Sequence, residues 1–85
     1  MAVQQDVAVR AVARVNLAAI ERNAARMRRE LSSQGALCAV VKADAYGHGA
    51  VPCARAALAG GATWLGVVTA GEAAQLRAAG IHAPI

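Results

Sequence analysis

The fold of this chain is decided by one stretch, LCAVVKADAYGHG at residues 37–49. Its first part, Leu37 to Val41, is a short apolar run bounded by Gly35 on one side and by a glycine-rich loop on the other. Such runs between turn signals are typical of parallel strands that are buried on both faces. We therefore predict a strand over Leu37 to Val41, followed by a loop over Ala43 to Gly49.

The segment before this strand predicts a helix. Residues 1–10 have no strong pattern and are interpreted as an N-terminal leader, and Ala11 to Val15 is a predicted short strand. Asn16 is a suitable N-cap. The apolar residues after it recur at spacings of three and four, which indicates one buried helix face. These residues are Leu17, Ile20, Ala24, Met27 and Leu31.

The segment after the loop repeats the same alternation. A helix is predicted over Ala50 to Ala59, with Pro52 in its first turn, where a missing N–H costs nothing. A second buried strand is predicted over Thr63 to Val68. Thr69 and Glu72 then form a capping box that opens another helix. The last residues, Ala83 to Ile85, are interpreted as the start of a third strand.

Strands that alternate with helices indicate an α/β fold with a parallel sheet. Two architectures fit, an open doubly wound sheet and a (β/α)8 barrel of the TIM type, and the pattern alone leaves both open. No G-x-G-x-x-G follows either strand, which disfavours a dinucleotide site. A barrel needs about 250 residues, so we expect residues 11–85 to be a fragment that supplies its first two to three β/α units.

Composition excludes several classes of protein. The net charge of +4 comes from eight dispersed arginines and one lysine, without interleaved aromatic residues, which disfavours a nucleic-acid interface. No run approaches the roughly 18 apolar residues of a membrane span, and no signal peptide is visible. Cys38 and Cys53 lack metal-site spacing and are interpreted as small buried hydrophobes in a reducing compartment. These features predict a cytoplasmic protein with no metal site.

Lys42 stands where the predicted strand meets its loop, and active sites of both architectures form at the carboxyl ends of strands. Strand alternation places Lys42 on one face with Val40 and Cys38, which in a barrel would point inward. A lysine amine there is suited to attack a carbonyl carbon, whereas arginine remains protonated. From position alone, a surface lysine that ends the strand is the more ordinary interpretation.

The loop after Lys42 is suited to a ligand but is not specific for one. Two glycines allow a close approach of the backbone, and the next helix offers N–H groups to an anion. Tyr46, the only tyrosine, is able to donate a hydrogen bond to a phosphate oxygen. Asp44 is interpreted as a turn-stabilising residue. His48 and His82 are interpreted as turn or surface histidines.

The segment AVVKADAYGHG at residues 39–49 resembles the pyridoxal-phosphate attachment segment of alanine racemases. The resemblance covers nearly all of the chain after residue 11, and the lysine segment is long and specific. Two positions depart from the usual family pattern, Asn16 where aspartate is more common and Asp44 where many members have asparagine. The other matching segments are NLAAI at 16–20 with Asn23, ARAAL at 54–58, Gly61-Ala62, WLGV at 64–67, Glu72, Leu76-Arg77 and Gly80-Ile81.

The resemblance implies a racemase that interconverts L-alanine and D-alanine and supplies D-alanine for the cell wall. It implies that Lys42 binds pyridoxal 5'-phosphate covalently and acts as one of two acid/base groups, and that Tyr46 hydrogen-bonds the cofactor phosphate. In the family the second base is a tyrosine from the partner subunit of a homodimer. That tyrosine and further phosphate ligands would lie beyond residue 85, so we expect the fragment alone to be inactive.

Two other functions stay open at this stage. One is another enzyme of the same cofactor and barrel class, either a broad-specificity amino-acid racemase or a decarboxylase. The other is a non-catalytic fragment that binds the cofactor without turnover. Residues outside this sequence would separate these hypotheses, because they set the size of the substrate pocket and supply the second base.

Overall fold

The computed structural model describes residues 15–85. The interpreted leader, residues 1–10, and all but the last residue of the strand predicted at Ala11 to Val15 lie outside this range. The described residues form three right-handed helices, one short left-handed helical segment (Lys42–Tyr46) and two short strands. In chain order they are α1 (Leu17–Glu30), β1 (Cys38–Val40), α2 (Lys42–Tyr46), α3 (Ala50–Ala59), β2 (Trp64–Gly66) and α4 (Ala70–Ala78).

The two strands form a parallel pair, as the alternation predicts. Cys38 is opposite Trp64 and Val40 is opposite Gly66. On the other side of β2, the amide of Leu65 donates a hydrogen bond of 2.9 Å to the carbonyl oxygen of Pro84. Ala83 to Ile85 form no regular strand, but this bond places them beside β2, where the sequence predicts the start of a third strand.

The helices cover only one face of the sheet. Val41 and Leu65 are buried on that face, and Ala39 and Val67 pack against the same core. The opposite face is open within residues 15–85. Its members include Cys38, Val40, which is 52% exposed, and Trp64, which is 48% exposed. The predicted alternation of side chains between the two faces is therefore confirmed. The prediction that both faces of the strands are buried is wrong for residues 15–85, because none of these residues covers the second face.

Helix α1 begins at its predicted cap, since the side chain of Asn16 accepts a hydrogen bond of 3.0 Å from the amide of Ala19. It packs on α3 at the point where the chain leaves α3. A Cβ at Gly60 would overlap the carbonyl oxygen of Glu21 and lie 2.7 Å from the Cβ of Ala24. Glycine is thus required for this close approach between the two helices.

The predicted apolar face of α1 is only partly buried. Ala24 is buried and Ile20 packs against the core. Leu17, Met27 and Leu31 remain exposed, and Met27 is 53% exposed. The prediction that Met27 fills the core is therefore wrong among the described residues. The physical reason is that α1 contacts α3 through small residues, whereas Met27 lies beside the unpaired edge of β1.

Helix α4 starts with the predicted capping box. The hydroxyl of Thr69 accepts from the amide of Glu72 at 3.1 Å, and the carboxylate of Glu72 accepts from the amide of Thr69 at the same distance. Leu76 then anchors α4 in the core with no exposed surface. Of the helices between residues 15 and 85, none has the length and apolar character needed to cross a membrane.

Candidate functional site

The turn after β1 is left-handed. Helix α2 has φ values of 52 at Ala43, 56 at Asp44, 54 at Ala45 and 58 at Tyr46. No glycine occupies these four positions, and a left-handed conformation costs a residue with a Cβ about 1–2 kcal/mol. The sequence predicts an irregular loop here, so the left-handed turn is a difference between prediction and structure.

Backbone hydrogen bonds compensate part of this strain. The amide of Ala45 donates to the oxygen of Val41 at 2.9 Å, and the amide of Gly49 donates to the oxygen of Asp44 at 2.9 Å. Ala45 is also buried in the core. A run of strained residues that is held in this way is more common at functional sites than elsewhere in proteins.

The left-handed turn brings Lys42 and Tyr46 together. Residues four apart lie on the same side of a helical turn of either hand, and the Nζ of Lys42 is 6.0 Å from the centroid of the Tyr46 ring. The side chain of Lys42 is half-buried, while Tyr46 is 64% exposed. Both side chains emerge at the carboxyl end of β1, which is the rim where the sequence predicts a ligand site.

The side chain of Asp44 closes the other end of the turn. Its Oδ1 accepts a hydrogen bond of 2.8 Å from the amide of Ala50, the first residue of α3. Asp44 therefore stabilises the turn, as predicted. The N–H of Ala50 is therefore already paired and is not among the N–H groups that this helix end could offer to an anion.

The carboxylate of Glu72 joins the ends of both strands. Its Oε2 accepts from the amide of Ala43 at 2.8 Å, and its Oε1 accepts from the amides of Val68 at 2.7 Å and Thr69 at 3.1 Å. Hydrogen bonds from these three amides hold the pKa of the Glu72 carboxyl below its ordinary value. The bond from Val68 has the largest effect, followed by those from Ala43 and Thr69. The bond to Ala43 was not predicted, because no local pattern connects residues so far apart in the chain.

The remaining sequence candidates lie at the margin of the site. His48 and His82 are exposed, which agrees with their interpretation as turn or surface residues. Cys53 is buried, and burial raises the pKa of its thiol, as does the neighbouring Asp44 carboxylate. Cys38 is exposed on the open face of β1, so its predicted burial is wrong among residues 15–85. No cluster of metal-binding side chains occurs in this part of the chain.

Comparison with known proteins identifies the family. The family described as alanine racemase, N-terminal domain, matches residues 15–85, which include the strained turn and every residue of the candidate site. The chain belongs to the alanine racemase N-terminal domain family. The alanine racemase of Streptomyces coelicolor is 61% identical over 74 residues, which are 87% of this chain and 19% of that protein.

Solved alanine racemases have the same fold over this segment. The crystal structure of the E. faecalis alanine racemase matches with a TM-score of 0.82 and 46% identity, over 84% of this chain and 19% of that one. The Bacillus anthracis alanine racemase, solved with bound L-Ala-P, matches with a TM-score of 0.79 and 48% identity, over 81% and 18% respectively. These matches confirm the prediction of a partial (β/α)8 barrel.

The chain spans about one fifth of the length of the alanine racemases it matches. It therefore contains the family's first β/α units, with the carboxyl rim that carries Lys42 and Tyr46. The doubly wound alternative, which the sequence pattern left open, is not supported by the solved relatives.

Proposed function

We propose that the full-length protein is a pyridoxal-phosphate-dependent alanine racemase in which Lys42 binds the cofactor covalently and Tyr46 hydrogen-bonds its phosphate. The observation that carries this proposal is the position of the Lys42 amine, at the carboxyl rim of a parallel strand pair and beside the Tyr46 ring. The family match over the whole site supports the same assignment.

The residues present fit this cofactor. Lys42 is the only lysine of the chain, and within residues 15–85 its Nζ forms no salt bridge. The phenol of Tyr46 is exposed at the same rim, which leaves its hydroxyl accessible to a phosphate oxygen. Gly47, the residue after the tyrosine, has a φ of 89, and no atom of residues 15–85 lies within 4 Å of its Cβ position.

The cofactor's electron-poor ring, when bound, makes the α-proton of an attached amino acid acidic. Lys42 then serves as the acid/base group on one side, because its amine is held at the rim and is able to accept or donate a proton. Racemisation also needs a proton on the opposite side. We assign that proton to a group other than Tyr46, whose ring is 6.0 Å from the Lys42 amine and whose proposed role is to bind the phosphate.

We infer that the second acid/base group comes from outside residues 15–85. We propose a tyrosine of a partner subunit, so that the active protein is a homodimer. We also propose that the enzyme works in the cytoplasm and supplies D-alanine for peptidoglycan. The names of the relatives support alanine as the substrate, and so does the solved B. anthracis alanine racemase with bound L-Ala-P.

Borohydride labelling tests the proposal directly. Full-length protein loaded with pyridoxal phosphate is reduced with borohydride and digested, and the modified peptide is identified by mass spectrometry. The expected label is on Lys42, with no other lysine in this segment to confuse the assignment. Lys42→Arg, which keeps the charge, should lose both the label and the interconversion of alanine enantiomers. A label on a different peptide would overturn the assignment.

A further inference from the structure

Glu72 does more than cap α4. In a capping box the glutamate accepts one bond from the backbone N–H of the capping residue, and the Oε1 of Glu72 already accepts that bond from Thr69. The second oxygen is directed elsewhere, to the amide of Ala43 at 2.8 Å. One carboxylate thus connects the backbone after β1 with the backbone after β2.

The bond to Ala43 lies next to the reactive residue. Its N–H belongs to the peptide that joins Lys42 to Ala43, so the direction of this N–H is coupled to the backbone angle at Lys42. Because that peptide is bonded to the Cα of Lys42, a fixed N–H also restrains the backbone from which the Lys42 side chain extends. Ala43 is also the first of the four left-handed residues, with φ 52. A fixed N–H at this position holds the start of the strained turn.

From this geometry we propose that Glu72 is a positioning residue for Lys42, which fixes the Lys42–Ala43 peptide and thereby the direction of the Lys42 amine. The inference rests on the proposed function, because the amine is the group that binds the cofactor and moves the proton. The carboxylate acts through the backbone and does not touch the substrate.

The chain offers a matched control for the helix-capping role. Thr69→Ala removes the bond from the amide of Glu72 to the Thr69 hydroxyl and weakens the start of α4. It leaves the Glu72 carboxylate and its bond to Ala43 in place. Glu72→Ala removes both roles. Glu72→Gln keeps the length of the side chain but has only one acceptor oxygen, so it is unable to serve Ala43 and Val68 together.

The experiment measures how fast pyridoxal phosphate attaches to Lys42 in cofactor-free full-length protein, followed by the visible absorbance of the bound cofactor. Thr69→Ala should attach at the wild-type rate. Both Glu72 variants should attach more slowly and show a shifted absorption band. Misplacement of a reacting group by about 1 Å can cost on the order of 100-fold, and we expect losses of up to that size.

The outcomes separate this inference from the proposed function. Failure of the wild-type protein to attach cofactor at Lys42 would overturn the proposed function and this inference with it. Attachment in the wild type, with Glu72→Gln and Thr69→Ala indistinguishable in rate and absorbance, would overturn the positioning role alone. Should Glu72→Ala fail to fold, judged by circular dichroism, the decision rests on Glu72→Gln, whose size and shape match the native side chain.

Discussion

The Oδ1 of Asp44 accepts a hydrogen bond of 2.8 Å from the amide of Ala50, six residues later in the chain. The bond spans the left-handed turn and satisfies the first N–H of α3, which has no side-chain cap of its own because its N-cap residue is Gly49. Asp44 therefore connects the strained turn to the helix that packs behind it.

Asp44→Ala should lower the free energy of unfolding of the full-length protein by about 1 kcal/mol, the usual cost of losing a helix N-cap. Asp44→Asn is the matched control, since its side-chain oxygen accepts the same bond and the change should stay within a few tenths of a kcal/mol. Urea unfolding measures both. Equal losses for the two variants would show that the charge of Asp44, and not its hydrogen bond, stabilises this turn.

Ala43→Gly should stabilise the full-length protein. Glycine adopts a φ of 52 without the steric cost that a Cβ brings, and the gain should be up to about 1 kcal/mol after the larger entropy of the unfolded chain is subtracted. The control is Ala74→Gly on the exposed surface of α4, which should destabilise by about 1 kcal/mol. Loss of stability in both variants would contradict a left-handed conformation at Ala43.

The lowered pKa of Glu72 predicts a pH dependence of stability. In the folded state Glu72 holds its proton less tightly than in the unfolded state, so between the two pKa values the unfolded chain binds more protons and stability rises with pH. The contribution of Glu72 is complete above the ordinary glutamate pKa. It is lost as the pH falls through the lowered pKa of the folded state.

The free energy of unfolding of cofactor-free full-length protein should therefore differ most between wild type and Glu72→Gln near neutral pH, and the difference should shrink in acid. Glu30→Gln is the control, because within the described residues Glu30 makes only an exposed pair with Arg26 at 3.6 Å, and such pairs contribute about 0–1 kcal/mol. A Glu72 difference that does not change with pH would contradict the hydrogen-bonding pattern of its carboxylate.

Local signals predict the helices of this chain well. Helix α3 has the predicted bounds, and the caps at Asn16 and Thr69 are those the sequence indicates. Caps depend on residues three positions apart, so their chemistry is visible in the sequence. Burial is less predictable, because Cys38 and Val40 face a side of the sheet that residues 15–85 do not cover.

The candidate site likewise has one part that the sequence predicts and one part that it does not. Lys42 and Tyr46 are predictable because they share one short segment and a position at the end of a strand. The left-handed turn that brings them together is not, since it has alanine, aspartate and tyrosine where glycine would be expected. Glu72, in the first turn of α4, accepts a hydrogen bond from the amide of Ala43 in this turn. Only the folded backbone reveals that contact.

Tyr46→Phe tests the proposed phosphate contact. The variant removes one hydroxyl and keeps the ring beside the Lys42 amine, so the side-chain packing at 6.0 Å should persist. Loss of one hydrogen bond to a charged phosphate should weaken cofactor binding by about 1.5–3 kcal/mol, which is roughly 10- to 150-fold in Kd. Equilibrium dialysis of pyridoxal phosphate against full-length protein measures this change. His48→Gln is the control, because His48 is exposed in the same turn and its variant should bind cofactor like the wild type. An unchanged Kd for Tyr46→Phe would assign the phosphate to other residues and leave Tyr46 as a neighbour of the lysine only.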